Sequence, residues 1–148
     1  MDEHFYYGVS SVEFRKLRHM TDALRQCVST LKRCQPLAGR LYSFSENVVG
    51  YISDLVEAHS ALPVAHPLIE KLENYDREHR TEYSRTLFCY LRNERNHQQT
   101  SAELSIHRNT LSQRIEKLRE IWNPKLDDPQ ERFYLLYSFY ARDPREEL

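Results

Sequence analysis

Positions 101–111 contain the stretch Ser101-Ala102-Glu103-Leu104-Ser105-Ile106-His107-Arg108-Asn109-Thr110-Leu111. Ser101 is small where two helices would cross, and Leu104 and Ile106 flank a turn of three or four residues. Leu111 would then hold a second helix against the first. This order of residue sizes predicts a helix-turn-helix, the motif whose second helix enters the major groove of DNA.

The sequence on both sides of the turn predicts the two helices of the motif. Asn96 is a good N-cap, with Gln99 three residues later, for a short helix that runs to Leu104. A longer recognition helix is predicted over residues 108–120 and ends before Pro124. Its inward positions follow the spacing i, i+4, i+7 and are Leu111, Ile115 and Leu118. Its outward positions are polar: Asn109, Gln113, Glu116 and Lys117.

Three further helices are predicted around the motif. One begins at Pro67 and ends near His79, and the next follows Thr81 as its N-cap and runs to about residue 93. The last helix opens with Asp128 as N-cap and Pro129 at the first helical position. Its shared face, which we expect to lie in the core, consists of Phe133, Leu136, Tyr137 and Tyr140.

The N-terminal part has a mixed pattern. Short strands are predicted over residues 5–9 and 41–44. An amphipathic helix with Thr21 as N-cap carries Leu24, Cys27, Val28 and Leu31 at helical spacing. A second helix has the same spacing from Val48 to about His59, and residues 61–66 form a linker. The expected fold class is therefore mainly α, with a small α/β or helical N-terminal part.

Composition excludes several classes of protein. The three glycines of this 148-residue chain lie far apart, so no glycine-rich phosphate loop can form. No apolar run reaches the 18 or so residues of a membrane helix, and residues 1–4 lack a secretory signal, so we expect a cytoplasmic protein without membrane contact. The histidines and cysteines have no metal-ligand spacing, and no nucleophile with a base can be assembled. We predict no metal, no cofactor and no enzyme activity.

The C-terminal part resembles the helix-turn-helix domain of PucR/CdaR-type bacterial transcriptional regulators. The resemblance covers about residues 67–140, and its specific feature is the His-Arg-Asn-Thr-Leu motif that begins at His107, followed by Arg114 and then by Leu-Asp-Asp-Pro after the recognition helix. It rests on residues 75–79, Leu87, Tyr90-Leu91, Asn96, residues 104–111, Arg114-Ile115 and Leu126-Asp127-Asp128-Pro129. Ser101 departs from the alanine that is common in the family, and its hydroxyl can bond back to a helical carbonyl.

The resemblance implies a Fis-like helical bundle and a division into domains. Residues 8–27 are similar to the end of a degenerate GGDEF-like domain without a cyclase signature. Residues 1–60 would then be the end of such a regulatory domain, 61–80 a linker helix and 81–148 the DNA-binding domain. A small-molecule effector would act only through domains that this chain lacks.

Helix-turn-helix geometry assigns candidate DNA contacts. The best base-contacting candidates are Arg108, Asn109 and Gln113, because Arg pairs with guanine and Asn or Gln with adenine; His107 and Ser112 are secondary. The phosphate-contacting candidates are Gln98, Gln99, Thr100, Thr110, Arg114, Lys117 and Arg119. The alternative for each is a solvated surface residue, and for Arg114 it is an internal salt bridge.

Charge predicts modest affinity for one copy of the domain. Residues 104–119 carry four basic side chains and one acidic, but residues 81–148 carry 11 of each sign. Because phosphate neutralisation dominates DNA affinity, we expect a homodimer that binds two half-sites of double-stranded DNA. The alternative function is a non-catalytic protein-interaction or dimerisation module, with a partner surface that would include Cys27, Leu31, Val48 and Leu55.

Overall fold

The computed structural model describes residues 6–59 and 65–141. Over these residues the chain is mainly helical, as predicted, and forms two compact units. The first unit, residues 6–59, contains β1 (Gly8–Ser10), α1 (Met20–Arg33), β2 (Leu41–Ser43) and α2 (Val48–Glu57). The second unit, residues 65–139, contains α3 (Pro67–His79), α4 (Tyr83–Arg92), α5 (His97–Glu103), α6 (Arg108–Trp122) and most of α7 (Pro129–Ala141).

The first unit is a small β-α-β arrangement followed by a helix. β1 and β2 pair in parallel, with Gly8 opposite Leu41 and Ser10 opposite Ser43. The first strand thus lies farther along the chain than predicted, and Phe5 lies outside the described residues. The predicted N-cap Thr21 is wrong, because α1 begins at Met20 after a 3-10 turn over Leu17–His19.

Polar and small residues, rather than apolar ones, join α1 to α2. The Asp54 carboxylate accepts a hydrogen bond from Ser29 at 3.0 Å and pairs with the Arg33 guanidinium at 2.5 Å. Gly50 lets the helices approach, since a Cβ there would lie 2.5 Å from the Arg33 Nε. The apolar stripe of α1 is exposed instead, with Leu24 at 58% of its full accessibility. The exposed apolar side chains of the two helices are Leu24, Val28 and Leu31 on α1 and Val48, Ile52 and Leu55 on α2.

The second unit has a continuous apolar core. α3, predicted to be a linker helix, belongs to this core, because Leu68, Ile69 and Leu72 are buried in it. The remaining buried members come from four later segments and are Leu87, Tyr90, Leu91, Leu111, Ile115, Leu118, Leu126 and Leu135. Residues from α3, α4, α6 and α7 thus share one core, which holds the helices of the motif in place.

The corner between α3 and α4 is organised by Asp76. Its carboxylate accepts hydrogen bonds from the backbone N–H groups of Tyr83 and Ser84, each at 2.8 Å, and from the Thr81 hydroxyl. The sequence predicted Thr81 as the N-cap of α4. This prediction is wrong, because the oxygens that cap α4 belong to Asp76 of the preceding helix. Arg80 ends α3 in the left-handed conformation, with φ of 54°.

The last helix has the predicted start but a different buried face. Asp128 accepts a hydrogen bond from the Gln130 N–H at 2.9 Å, as expected of a capping residue. Phe133 and Tyr140, which we expected in the core, are exposed. Leu135 and Ser138 are buried in their place, and the Ser138 hydroxyl accepts from the His66 N–H at 2.8 Å.

Candidate nucleic-acid interface

The helix-turn-helix is formed by α5, a tight turn and α6. Asn96 caps α5 as predicted, since its side-chain oxygen accepts from the N–H groups of Gln98 and Gln99 at 3.0 and 3.1 Å. Ser101 is buried, and its hydroxyl donates to the Gln98 carbonyl, the back-bond that we expected. Ser105 turns the chain with φ of 54°, a left-handed conformation that lets the two helices meet at a sharp angle.

The recognition helix α6 is held against the core by the predicted face. Leu111 and Leu118 are completely buried and Ile115 nearly so. The helix ends at Asn123, which adopts the left-handed conformation common at helix ends, and Pro124 follows. One side of α6 is thus immobilised by packing while its opposite side faces solvent.

Four of the five predicted base-contacting residues are exposed at the start and outward face of α6. They are His107, Arg108, Asn109 and Gln113, and Ser112 is half-buried beside them. His107 is also the N-cap of α6, because its Nδ1 accepts from the Asn109 N–H at 3.2 Å. Within the part of the chain that the structure describes, no carboxylate pairs with Arg108.

Some of the predicted phosphate-contacting residues are exposed, whereas others are buried or bonded to other residues of the protein. Gln98, Gln99, Thr110, Lys117 and Arg119 are exposed, and Lys117 has only a surface pairing with Glu120 at 3.3 Å. Thr100 differs from the prediction, because its side chain is completely buried and its hydroxyl donates to the Asn96 carbonyl at 2.8 Å. A phosphate could not reach that hydroxyl.

Arg114 makes the internal salt bridge that was the alternative to phosphate contact. Its Nη1 and Nη2 each lie 3.2 Å from the Glu82 Oε2. Nη1 also donates to the Thr86 hydroxyl at 3.1 Å. Only 26% of the Arg114 side chain is exposed, so α6 is tied to the first turn of α4 at this point.

Glu103 forms a polar clasp between α4 and α5 that sequence analysis missed. The Cys89 thiol donates to one carboxylate oxygen at 3.0 Å, Arg92 pairs with the same oxygen, and Asn93 donates to the other at 2.7 Å. These hydrogen bonds, first the one from Cys89, lower the pKa of Glu103. Burial and then the contact with Glu103 raise the pKa of Cys89 to about 11. Cys89 and Arg92 lie one turn apart on α4, but their common partner is distant in sequence.

Arg95 joins the segment before α5 to the segment before α7. Glu94 and Arg95 both have positive φ, which directs the Arg95 side chain across the unit. Its guanidinium donates to the Leu126 carbonyl at 3.3 Å and pairs with Asp127 at 2.7 Å. Asp127 and Asp128 thus have separate structural roles, one in this ion pair and one at a helix cap.

Residues 6–59 and 65–141 contain neither a membrane-spanning helix nor a cluster of metal-binding side chains. No helix among them combines the length and apolar character needed to cross a membrane. These residues also bring together no group of three or more His, Cys, Asp or Glu side chains that could hold a metal ion.

Comparison with known proteins identifies the motif. Residues 83–141 match the PucR C-terminal helix-turn-helix domain family, so this part of the chain is a DNA-binding domain of that type, which confirms the resemblance. The chain is also similar to the DNA-binding transcriptional activator AdeR of Bacillus subtilis (strain 168), with 27% identity over 133 residues. That alignment covers 87% of this chain and 32% of AdeR, so the chain spans about a third of this relative. No solved structure matches the chain at a significant level.

Proposed function

We propose that this chain, with its PucR C-terminal helix-turn-helix domain, is the DNA-binding part of a transcriptional regulator whose α6 enters the major groove of double-stranded DNA. The observation that carries the proposal is the division of α6 into two faces. Leu111, Ile115 and Leu118 are buried, while the start and opposite side of the helix expose polar side chains. A rigid helix with a polar outer face fits groove insertion, whereas a helix that binds a protein groove would expose apolar anchors.

Arg108, Asn109 and Gln113 are the proposed principal base contacts. All three are exposed, and Arg108 lies in the first turn of the helix, where recognition helices contact base edges. Its guanidinium can donate two hydrogen bonds to guanine, and the two amides can each pair with adenine. His107 and Ser112 are secondary candidates, since His107 already uses Nδ1 in capping and Ser112 is half-buried.

The proposed phosphate contacts are exposed side chains at the start of α5 and along α6. They are Gln98, Gln99, Thr110, Lys117 and Arg119. Such contacts position the protein on the duplex without distinguishing sequences. We leave Thr100 out because its hydroxyl is buried, and Arg114 because its guanidinium is engaged with Glu82.

The test compares Arg108→Ala with Lys117→Ala on duplexes that the wild-type chain selects from a randomised DNA pool. Arg108→Ala should cost about 1–3 kcal/mol and relax the preference at one base pair. Lys117→Ala should weaken binding to all duplexes alike and reduce the slope of log K against log salt by about 1. Equal effects of the two substitutions on every duplex would refute base readout by α6.

We further propose that the regulator binds DNA as a homodimer. The balanced charge of the DNA-binding part makes one copy a weak binder, and two copies would occupy two half-sites. The exposed apolar side chains of α1 and α2 are the proposed pairing surface, because on each helix they recur at i, i+4 and i+7, the spacing of a face that packs against another element. A stoichiometry of one chain per selected duplex at saturation, measured by analytical ultracentrifugation, would contradict this proposal.

The same exposed side chains favour a second candidate function, a non-catalytic protein-interaction module. In that case α1 and α2 would bind another protein, and the chain would show no sequence preference in the DNA selection. Replacing Leu24 and Leu31 with Glu separates the candidates. The dimeric regulator should lose self-association and much of its DNA affinity, whereas the interaction module has no selected DNA affinity to lose.

Residues 6–59 are the proposed end of a preceding regulatory domain. The resemblance of residues 8–27 to a GGDEF-like domain supports this assignment, and so does the small size of the two-stranded sheet, since so few short strands are rarely stable alone. A bacterial regulator must reach the chromosome, so we place its activity in the cytoplasm.

A further inference from the structure

We propose that Arg114 is a positioning residue, which sets the rotation of α6 through Glu82 and Thr86 so that the base-contacting face meets the groove. This inference rests on the proposed function of α6. It assigns a role to a side chain that helix-turn-helix geometry alone would place among the phosphate contacts.

The contact is directional, unlike the apolar packing beside it. Leu111, Ile115 and Leu118 hold α6 through hydrophobic contacts, which have little angular preference. The guanidinium of Arg114 instead reaches one carboxylate oxygen with two nitrogens, at 3.2 Å each. Charge-assisted hydrogen bonds from a planar guanidinium define an orientation as well as a distance. A small rotation of α6 would therefore be opposed by this contact.

The acceptors of Arg114 are themselves held in place. The Thr86 hydroxyl is completely buried and donates its hydrogen to the Glu82 carbonyl at 2.6 Å, which leaves its lone pairs for Arg114. Glu82 lies at the N-terminus of α4, where the helix dipole favours a carboxylate, and Arg85 lies 3.7 Å from its second oxygen. The first turn of α4 thus presents a preformed acceptor to α6.

The location of Arg114 connects this contact to recognition. Arg114 directly follows Gln113, and successive side chains point about 100° apart around a helix. The contact between Arg114 and Glu82 on one side of α6 therefore determines where the adjacent, outward side chain of Gln113 points. At least three of the five guanidinium N–H groups are directed to protein oxygens, so few remain for a phosphate.

The experiment uses the full chain and two probes, a duplex selected by the wild type from a randomised pool and a scrambled duplex of equal length and composition. The variants are Arg114→Met, Arg114→Lys, Glu82→Gln and the double variant Glu82→Gln/Arg114→Met. Arg119→Met is the matched control, because Arg119 is an exposed arginine on the same helix. Thermal melting shows whether each variant is folded.

A positioning role predicts that Arg114→Met and Glu82→Gln each reduce the preference for the selected duplex roughly tenfold, with no change in the salt slope. The double variant should be no worse than either single variant. Arg114→Lys keeps the charge but loses the two-nitrogen contact, so it should lose the preference too. Arg119→Met should weaken binding to both duplexes equally and flatten the slope by about 0.9.

A different pattern would overturn the inference. If Arg114→Met flattens the slope by about 0.9 and keeps the preference, while Glu82→Gln tightens binding, Arg114 is a phosphate contact that Glu82 competes for. If the wild type selects no duplex, the proposed function fails before any variant is compared, and the inference fails with it. The two failures therefore occur at different steps of the experiment.

Discussion

The two units of this chain place their apolar residues in opposite ways. Of the seventeen large hydrophobic residues that are exposed in the described part of the chain, fourteen lie in residues 6–59. The eleven residues of the continuous buried cluster all lie between residues 68 and 135, whereas residues 6–59 bury Ala23, Tyr42 and Phe44. Helices α1 and α2 meet through Ser29, Arg33 and Asp54, whereas α4 and α6 share an apolar core in addition to the polar contact of Arg114.

This difference indicates which unit obtains more hydrophobic stabilisation from its own packing. Apolar surface stabilises a fold only when it is removed from water, at about 25 cal/mol per Å². The DNA-binding unit buries its apolar faces within itself and can present a rigid α6. The first unit buries Ala23, Tyr42 and Phe44 but leaves the apolar faces of α1 and α2 in water, so those faces contribute little hydrophobic stabilisation to it.

The largest expected effect contrasts a buried leucine of α6 with an exposed one of α1. Leu111→Ala should lower the free energy of unfolding by about 2–5 kcal/mol, because it leaves a cavity in the core. Leu24→Ala should change it by less than about 0.5 kcal/mol in a monomer. Fluorescence of Trp122, the single tryptophan of the chain, reports urea unfolding of the second unit, and far-UV circular dichroism reports the loss of helix in both units. Equal decreases in the free energy of unfolding for Leu111→Ala and Leu24→Ala would contradict the difference in burial between the two units.

A second substitution tests the polar junction of the first unit. Gly50→Ala should weaken the pairing of α1 with α2, because the new Cβ would displace the Arg33 side chain from Asp54; the net loss should be below about 1 kcal/mol, since alanine gains about 0.5–1 kcal/mol over glycine inside a helix. Faster alkylation of Cys27 and Cys34, both half-buried on and after α1, would show the loosening. The Trp122 transition serves as the internal control and should not move.

The Glu103 clasp predicts a pH-dependent contribution to the second unit. Glu103→Gln should cost about 1 kcal/mol at pH 7, because the carboxylate accepts charge-assisted bonds from α4. The pKa of Glu103 is lowered in the folded state, so this stabilisation is present above about pH 4.5, its ordinary pKa, and is lost as pH falls through the folded value. Urea unfolding at a series of pH values should show the wild type and the variant converging in acid. A constant difference at all pH values would contradict the clasp.

A stabilising substitution is expected at the left-handed end of α3. Arg80→Gly should raise the stability of the second unit by about 0.5–1 kcal/mol, since glycine adopts positive φ without the steric cost of a side chain. Arg77→Gly is the matched control, because Arg77 is an exposed arginine inside the same helix, and it should lower stability by about 1 kcal/mol. A change of the unfolding temperature in the same direction for both variants would contradict the left-handed conformation assigned to Arg80.

The local sequence predicts an element correctly where a residue and its nearest neighbours determine it. The start of α5 at Asn96, the extent of α6 and the cap at Asp128 all follow from a residue and its nearest neighbours in the chain. The prediction for Thr81 is wrong, because the oxygens that cap α4 belong to Asp76 of the preceding helix. The prediction that Phe133 and Tyr140 lie in the core is also wrong, since helical spacing shows that residues share a face but not which face is covered.

The amino-acid sequence by itself determined the order of the helices, the turn between α5 and α6, and the polar outer face of the recognition helix. Periodicity and capping act within one or two helical turns, so they can be predicted from residues that are close together in the sequence. Only the tertiary structure decided that Arg114 faces Glu82, that Thr100 is buried and that the apolar stripe of α1 is exposed. Each of these depends on which distant segment lies opposite the side chain, and local spacing carries no information about that segment.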